Sequence, residues 1–284
     1  MPEHARPQDL QPLRPTLRDR VPVLPPGAPY LLRALHEDLP FNEIARAIER
    51  VPSVAGRLLA LANSAWSSPI SPVTSLEAAC SRLGLRVVRT ASIALAVAQP
   101  FNPARCPAFD AAAFWISALL NAEAANALAQ RIQRDEVSTA RTAALLSNLG
   151  LLWLAEALPR ETGAAFEATH DGPPGSLDRH LEALCGLGYI EASAQLAEAW
   201  NLPEVLQEAI ASQQRADAQA SVLAQLVSAA TSMRATLQRD SGWTEDLRLL
   251  RLGLDPAAQQ AAFAQLKFAQ VRTVELAETL FAGH

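Results

Sequence analysis

What most constrains this chain is the spacing of its apolar residues from Tyr30 onward. They recur at intervals of three and four, the period that lays one apolar stripe along an α-helix. Phe41, Ile44, Ala45 and Ile48 keep that spacing behind Pro40, and Val54, Leu58, Leu61 and Ala62 keep it behind Pro52. Nowhere does an apolar–polar alternation run long enough for a strand. The apolar residues are mostly Ala and Leu, which favour helix, and aromatic residues make up only 5%. The sequence therefore predicts an all-α, multi-helix bundle.

Punctuation along the chain sets the expected elements. Prolines at 2, 7, 12, 15, 22, 25, 26 and 29 fix φ and remove donors, so this stretch reads as extended or irregular. Residues 1–19 are expected to form a Pro-rich tail that contributes little core. Thr74 and Glu77 fit a capping box for a helix that stops at Gly84. Another helix follows through Val87, Val88, Ile93 and Val97. Asp110 can cap a long helix to about Arg131, followed by helices over 136–148 and 150–158. A polar loop is expected around His170 to Gly175. Further helices are expected over 177–185, 189–200, 203–214, 218–238, 243–252 and 256–281, the last begun by Asp255 and Pro256.

Bulk properties exclude some function classes. With 284 residues, half of them hydrophobic, the chain can bury a substantial core. A net charge of −5 argues against a dominant nucleic-acid or anionic-membrane surface. Cys80, Cys106 and Cys185 are odd in number and form no C-x-x-C pair, which suits free thiols in a reducing cytoplasm. No N-terminal secretory pattern is visible. No apolar run reaches the ~18 residues of a membrane span. The longest candidate, residues 143–155, is broken by Ser147 and Asn148.

Two groups of motifs suggest a family. Leu24-Pro25-Pro26 precedes a helix. Arg57-Leu58-Leu59-Ala60-Leu61-Ala62-Asn63-Ser64-Ala65 follows, then Pro72-Val73-Thr74-Ser75-Leu76-Glu77-Ala78-Ala79 and Leu83-Gly84-Leu85-Arg86-Val87-Val88-Arg89. In order and spacing this resembles the N-terminal part of HDOD (HD-related output domain) proteins, with their RLL-x-LANSA, I-x-SL-x-x-AI and LG-x-x-x-VR segments. Val51 departs from the pattern, because the family often places Asp there as a cap.

The second half resembles the region that HDOD proteins share with HD-type metal phosphohydrolases. The resemblance implies an N-terminal helical subdomain over 20–105 packed on an HD-like bundle over 108–281. It also implies where metal ligands would sit. Ser117 follows Phe114-Trp115 where relatives carry His. Ser147 and Asn148 stand in place of the His-Asp pair. Tyr189 stands at the start of an H-x-E-x-G element, and Gln213 and Gln214 stand where paired His often end a helix. Hydroxyls, amides and a phenol are poor metal ligands beside imidazole or carboxylate. The five histidines are scattered, with no H-x-x-x-H or E-x-x-H pair.

The expectation is thus a degenerate, cofactor-free and non-catalytic bacterial signalling module in the cytoplasm. It would bind a protein partner, with a small nucleotide as an optional regulator, and neither nucleic acid nor membrane. Arg57, Asn63, Arg86 and Arg89 are the candidate partner-binding residues, since guanidinium groups near helix ends suit acidic partners. Two rivals stand beside this reading: a metal phosphohydrolase acting on a cyclic dinucleotide or nucleotide, and a nucleic-acid-binding regulator using Arg82, Arg86 and Arg89. Asn63 also reads simply as a helix-ending turn residue. Ser147 and Asn148 read as buried polar residues with local partners, the five Trp as core, and Glu123 and Glu191 as solvated helix-face carboxylates.

Overall fold

The computed structural model describes residues 17, 20–36, 39, 41–69, 71–169, 172, 175–213 and 220–281. Pro40, His170 and Gln214 lie outside them. Among the described residues every regular element is helical. The N-terminal half holds α1 (Ala28–His36), α2 (Phe41–Glu49), α3 (Pro52–Asn63), a 3₁₀ turn at Ala65–Ser67, α4 (Leu76–Leu83) and α5 (Leu85–Ala98). Then come α6 (Ala111–Ile132), α7 (Val137–Leu146), α8 (Gly150–Ala157), α9 (Pro159–Thr169), α10 (Ser176–Cys185) and α11 (Tyr189–Ala199). The chain closes with α12 (Glu204–Ala211), α13 (Val222–Gln238), α14 (Leu247–Arg251) and α15 (Pro256–Phe281). Among the described residues no helix is long and apolar enough to cross a membrane.

Most boundaries follow from local chemistry. Asp110 caps α6 by accepting from the Ala113 N–H at 2.9 Å, and Asp255 caps α15 by accepting from Ala258 at 2.7 Å. The cap of α4 is Ser75, not Thr74: Ser75 Oγ accepts from the Ala78 N–H at 3.2 Å. Val51 precedes α3 with no side-chain cap and is instead buried, while Pro52 supplies the pre-set φ of a first turn.

Two elements differ from expectation. Helix α9 occupies a stretch with no strong apolar period, because the residues it buries are Thr162, Gly163 and Ala165, too small to register as a stripe. Pro159 reads as a stop but serves as its start. Helix α14 begins only at Leu247. The buried Gln259 side chain accepts from Trp243 Nε1 and the Asp246 N–H, and donates to the Asp246 and Leu254 carbonyls. That amide satisfies the backbone of an ordered loop in place of a helical turn.

The core has two clusters. One joins the apolar faces of α1–α5 to those of α8–α11, with Leu31, Ile48, Leu58, Trp153 and Leu196 fully or almost fully buried. The other lies between the far halves of α6 and α15 and the helices α7, α12 and α13, around Leu128, Leu226, Met233 and Leu266. Helices α6 and α15 run through both. At the first cluster Trp115 stacks on Phe281 with centroids 4.2 Å apart.

The expected tail is not all outside the core. Leu17 is 2% exposed and belongs to the first cluster. The segment behind it is pinned by indole donors: Trp153 Nε1 to the Arg20 carbonyl at 3.2 Å and Trp200 Nε1 to the Pro22 carbonyl at 2.7 Å. Proline spacing could not reveal this docking, because these bonds use main-chain carbonyls that every residue carries.

Candidate functional site

A cavity of about 350 Å³ opens where α6, α8, α11 and α13 meet. Three of the expected positions line it: Ser117 from α6, Asn148 from the corner between α7 and α8, and Tyr189 from the start of α11. The corner is built tightly. Ser147 and Leu149 keep helical backbone angles, and the Leu151 N–H bonds the Asn148 carbonyl at 3.0 Å, so the chain turns without a loop. Asp178 of α10 reaches the first turn of α11, where its Oδ1 accepts from the Ile190 N–H at 3.2 Å. A carboxylate at a helix N-terminus complements the orphan N–H groups there.

Ser147 and Gln213 are not among the residues that line this cavity, and they bond one another. Ser147 Oγ donates to the Ala144 carbonyl at 2.8 Å, and the Ser147 carbonyl accepts from Gln213 Nε2 at 2.8 Å. Both are buried and locally satisfied. Asn148 differs: it is 9% exposed, and its Oδ1 has no hydrogen-bond partner among the described residues.

The cavity also holds Arg234, which motif reading misses. Its Nε donates to Asn121 Oδ1 at 3.1 Å and its Nη1 to Gln238 Oε1 at 2.6 Å. Gln238 Nε2 in turn donates to Ser117 Oγ at 3.0 Å. Both partners of the guanidinium are neutral amides. Burial pulls the Arg234 pKa below its usual range, opposed by Tyr189. Burial likewise pushes the Tyr189 phenol up to about 12, aided by Asp178 and opposed by Arg234. The only sequence hint of Arg234 is its position beside the buried Met233, one helical turn before Gln238. Phe109, Phe114 and Phe166 form the apolar wall, with centroids 5.6 Å apart for Phe109–Phe114 and 6.0 Å for Phe109–Phe166.

The candidate partner-binding residues scatter by role. Arg57 donates to the Leu280 carbonyl at 2.8 Å, tying α3 to the C-terminal end of α15. Asn63 clasps the loop before α4: its Nδ2 donates to the Val73 carbonyl and its Oδ1 accepts from the Val73 N–H, both at 2.8 Å. Arg89 is buried and donates to Ser138 Oγ at 3.2 Å. Arg86 has a side chain 57% exposed and pairs with Glu123 at 2.9 Å.

Glu123 is not a solvated carboxylate. Its side chain is 16% exposed and also lies 3.7 Å from Arg141. Arg141 additionally bonds Thr90 Oγ1. Burial brings the Arg141 pKa down to about 10, with Glu123 opposing and Arg86 and Arg89 adding to the fall. Glu191, by contrast, is exposed and bonds Gln195 on its own helix.

Arg86, Glu123 and Arg141 floor a groove of about 520 Å³ between the N-terminal helices and the bundle. On its far wall Arg272 lies 4.3 Å over the Trp66 ring, and Trp66 Nε1 donates to the Arg272 carbonyl at 3.1 Å. Phe268 and Val271, 92% and 68% exposed, line the same groove from α15.

The HDOD domain family matches residues 21–216. Similar solved structures include a protein from Marinobacter aquaeolei VT8 assigned to signal transduction, at 24% identity and TM-score 0.79 over 96% of this chain and 64% of that one. A protein from Shewanella amazonensis SB2B assigned as a phosphohydrolase is 24% identical, with TM-score 0.72 over 93% of this chain and 97% of that one. An HDOD domain protein of unknown function from Geobacter sulfurreducens is 20% identical, with TM-score 0.69 over 94% and 98%. The chain thus spans less than two thirds of the Marinobacter protein. A comparison with curated proteins gave no match.

Proposed function

The chain belongs to the HDOD domain family, and from that membership we propose that it is a cytoplasmic signalling output module that works by binding a protein partner and performs no chemistry of its own. The observation that carries this reading is the donor set of the cavity. Ser117, Asn148 and Tyr189 offer two hydroxyls and an amide. Such groups hold a divalent cation poorly beside imidazole or carboxylate. Arg234 adds a positive charge that opposes a second cation at short range. Asp110 lines the same cavity, but its Oδ1 is engaged by the Ala113 N–H. Among the described residues no group of three or more His, Cys, Asp or Glu is placed to hold a metal. These residues do not fit the metal ions with which HD-type phosphohydrolases activate water.

In this reading the partner docks at the seam groove. Two large apolar side chains exposed on neighbouring turns of one helix are the kind of group that anchors an interface. Arg86, on the floor of the same groove and with its side chain 57% exposed, supplies charge that steers association more than it tightens it. The signalling role assigned to the Marinobacter protein agrees with the proposal.

The test uses the full chain as bait in the native cell, with captured proteins quantified by mass spectrometry. Phe268→Ser with Val271→Ser is expected to lower one specific capture at least ten-fold while circular dichroism stays unchanged. A capture that persists undiminished moves the surface elsewhere. Turnover of a phosphodiester by purified protein given Mn²⁺ overturns the non-catalytic reading itself.

A further inference from the structure

We propose that the cavity between α6, α8, α11 and α13 binds a small organic anion without a metal, its anionic head on Arg234 and its apolar body against Phe109, Phe114 and Phe166. The inference rests on the metal-free reading of this cavity and names what it takes instead.

Three observations lead there. The first is charge. The hydrogen-bond partners of Arg234 are amide oxygens of Asn121 and Gln238, and no carboxylate among the described residues lies within ion-pair distance of it. Arg234 is partly withdrawn from water, and a cation so placed without a counter-charge costs stability that an anion offsets. A guanidinium also presents more N–H groups than two amide oxygens engage, in a fork suited to carboxylate or phosphate.

The second is Asn148. The residue lines this cavity, and its buried Oδ1 has no hydrogen-bond partner among the described residues, an arrangement that native proteins seldom leave unmet. A side-chain rotation that turns the amide into the cavity would present Nδ2 as a donor to the same anion. The Tyr189 hydroxyl, protonated at neutral pH as any phenol is, supplies another.

The third is shape. The aromatic wall lies against the polar groups in a volume at the small end of the roughly 300–1,000 Å³ typical of ligand pockets. An inorganic ion would leave that wall uncovered. An anion with an aryl or branched aliphatic body would cover it.

The full-length protein is titrated calorimetrically in EDTA with phenyl phosphate, benzoate and inorganic phosphate. Either aryl anion is expected to bind, with inorganic phosphate at least ten-fold weaker, and the stronger of the two aryl probes identifies the head group. Arg234→Gln is expected to weaken that binding at least ten-fold. If Arg234→Gln fails to fold by circular dichroism, Asn148→Asp decides. It conserves size, places a carboxylate in the cavity, and is expected to abolish aryl-anion binding while raising the melting temperature. Absence of any aryl-anion binding overturns the proposal, as does binding that both variants leave intact. Binding that appears only after Mn²⁺ is added overturns this proposal and the metal-free reading together. A silent titration with partner capture intact overturns this proposal alone.

Discussion

The Gly150 N–H donates to Ser193 Oγ at 2.8 Å, and that hydroxyl donates onward to the Tyr189 carbonyl at 2.7 Å. The link draws the start of α8 onto α11 so closely that a Cβ on Gly150 would lie 2.1 Å from the Tyr189 oxygen. Asn148, two residues before Gly150, and Tyr189 are thereby set at one cavity. Gly150→Ala is expected to cost about 3 kcal/mol, because main chain rather than a mobile side chain must move. Gly56→Ala in α3, whose Cβ meets nothing within 4 Å, is expected to stabilise by roughly 0.5–1 kcal/mol. Urea unfolding of the two variants checks both signs, and a wild-type midpoint for Gly150→Ala would contradict the packing.

Leu17 carries a second prediction. It is buried in the first core cluster although the segment around it reads as a tail. Leu17→Ala is expected to destabilise by about 2–4 kcal/mol, the cost of emptying a packed core site. A change under about 0.5 kcal/mol, typical of an exposed position, would show that this residue does not dock.

Asn63 separates structural from recognition roles. Its amide replaces a pair of backbone bonds to Val73. Asn63→Ala is expected to lower stability by about 1–3 kcal/mol through groups left unpaired. At a temperature well below the melting point, partner capture should be unchanged. Loss of capture with stability intact would assign Asn63 to the interface.

The thiols predict a pH dependence. Burial pushes Cys80 up to about 11 and Cys185 up to about 12, from an ordinary value of 9.0. The folded state therefore holds these protons more tightly than the unfolded chain. Their contribution is fully present below pH 9 and is lost as pH rises toward 11 and 12. Between pH 8 and pH 10 each thiol should remove about 1 kcal/mol. The Cys80→Ala/Cys185→Ala variant should show a shallower fall in urea midpoint over that interval. Above pH 10 phenols such as Tyr189 also begin to titrate in the unfolded chain, so the comparison stops there. An identical slope in variant and wild type would show that neither thiol is buried as described.

Metal content gives the last prediction. Protein purified without added metal should carry no stoichiometric iron, zinc or manganese by elemental analysis, and EDTA should leave its melting temperature unchanged. A metal lost on chelation together with stability would mean that residues beyond Ser117, Asn148, Tyr189 and Arg234 complete a site.

Helices written in large apolar residues or in caps were legible beforehand. The period of Ile44 and Ile48 and the caps Asp110 and Asp255 are local facts, because a stripe and a cap involve residues within a few turns of one another. Helix α9 escaped because its buried face is small, and the true extent of α14 escaped because the loop before it is organised by Gln259 from another helix.

The candidate site divides along the same line. The sequence alone made the all-helical architecture legible, and the family resemblance marked Ser117, Asn148 and Tyr189 among the expected ligand positions. It could not separate Asn148 from its neighbour Ser147, although one lines a cavity and the other bonds its own helix. It could not tell Arg86, half in solvent, from Arg57 and Arg89, whose guanidinium groups are engaged within the fold. Nor could it see Arg234, 117 residues from Ser117 in numbering yet joined to it through Gln238. Helical period and caps act within one segment and are encoded there. The partner of a buried polar group comes from whichever distant helix packs beside it, so its role exists only once the chain has closed on itself.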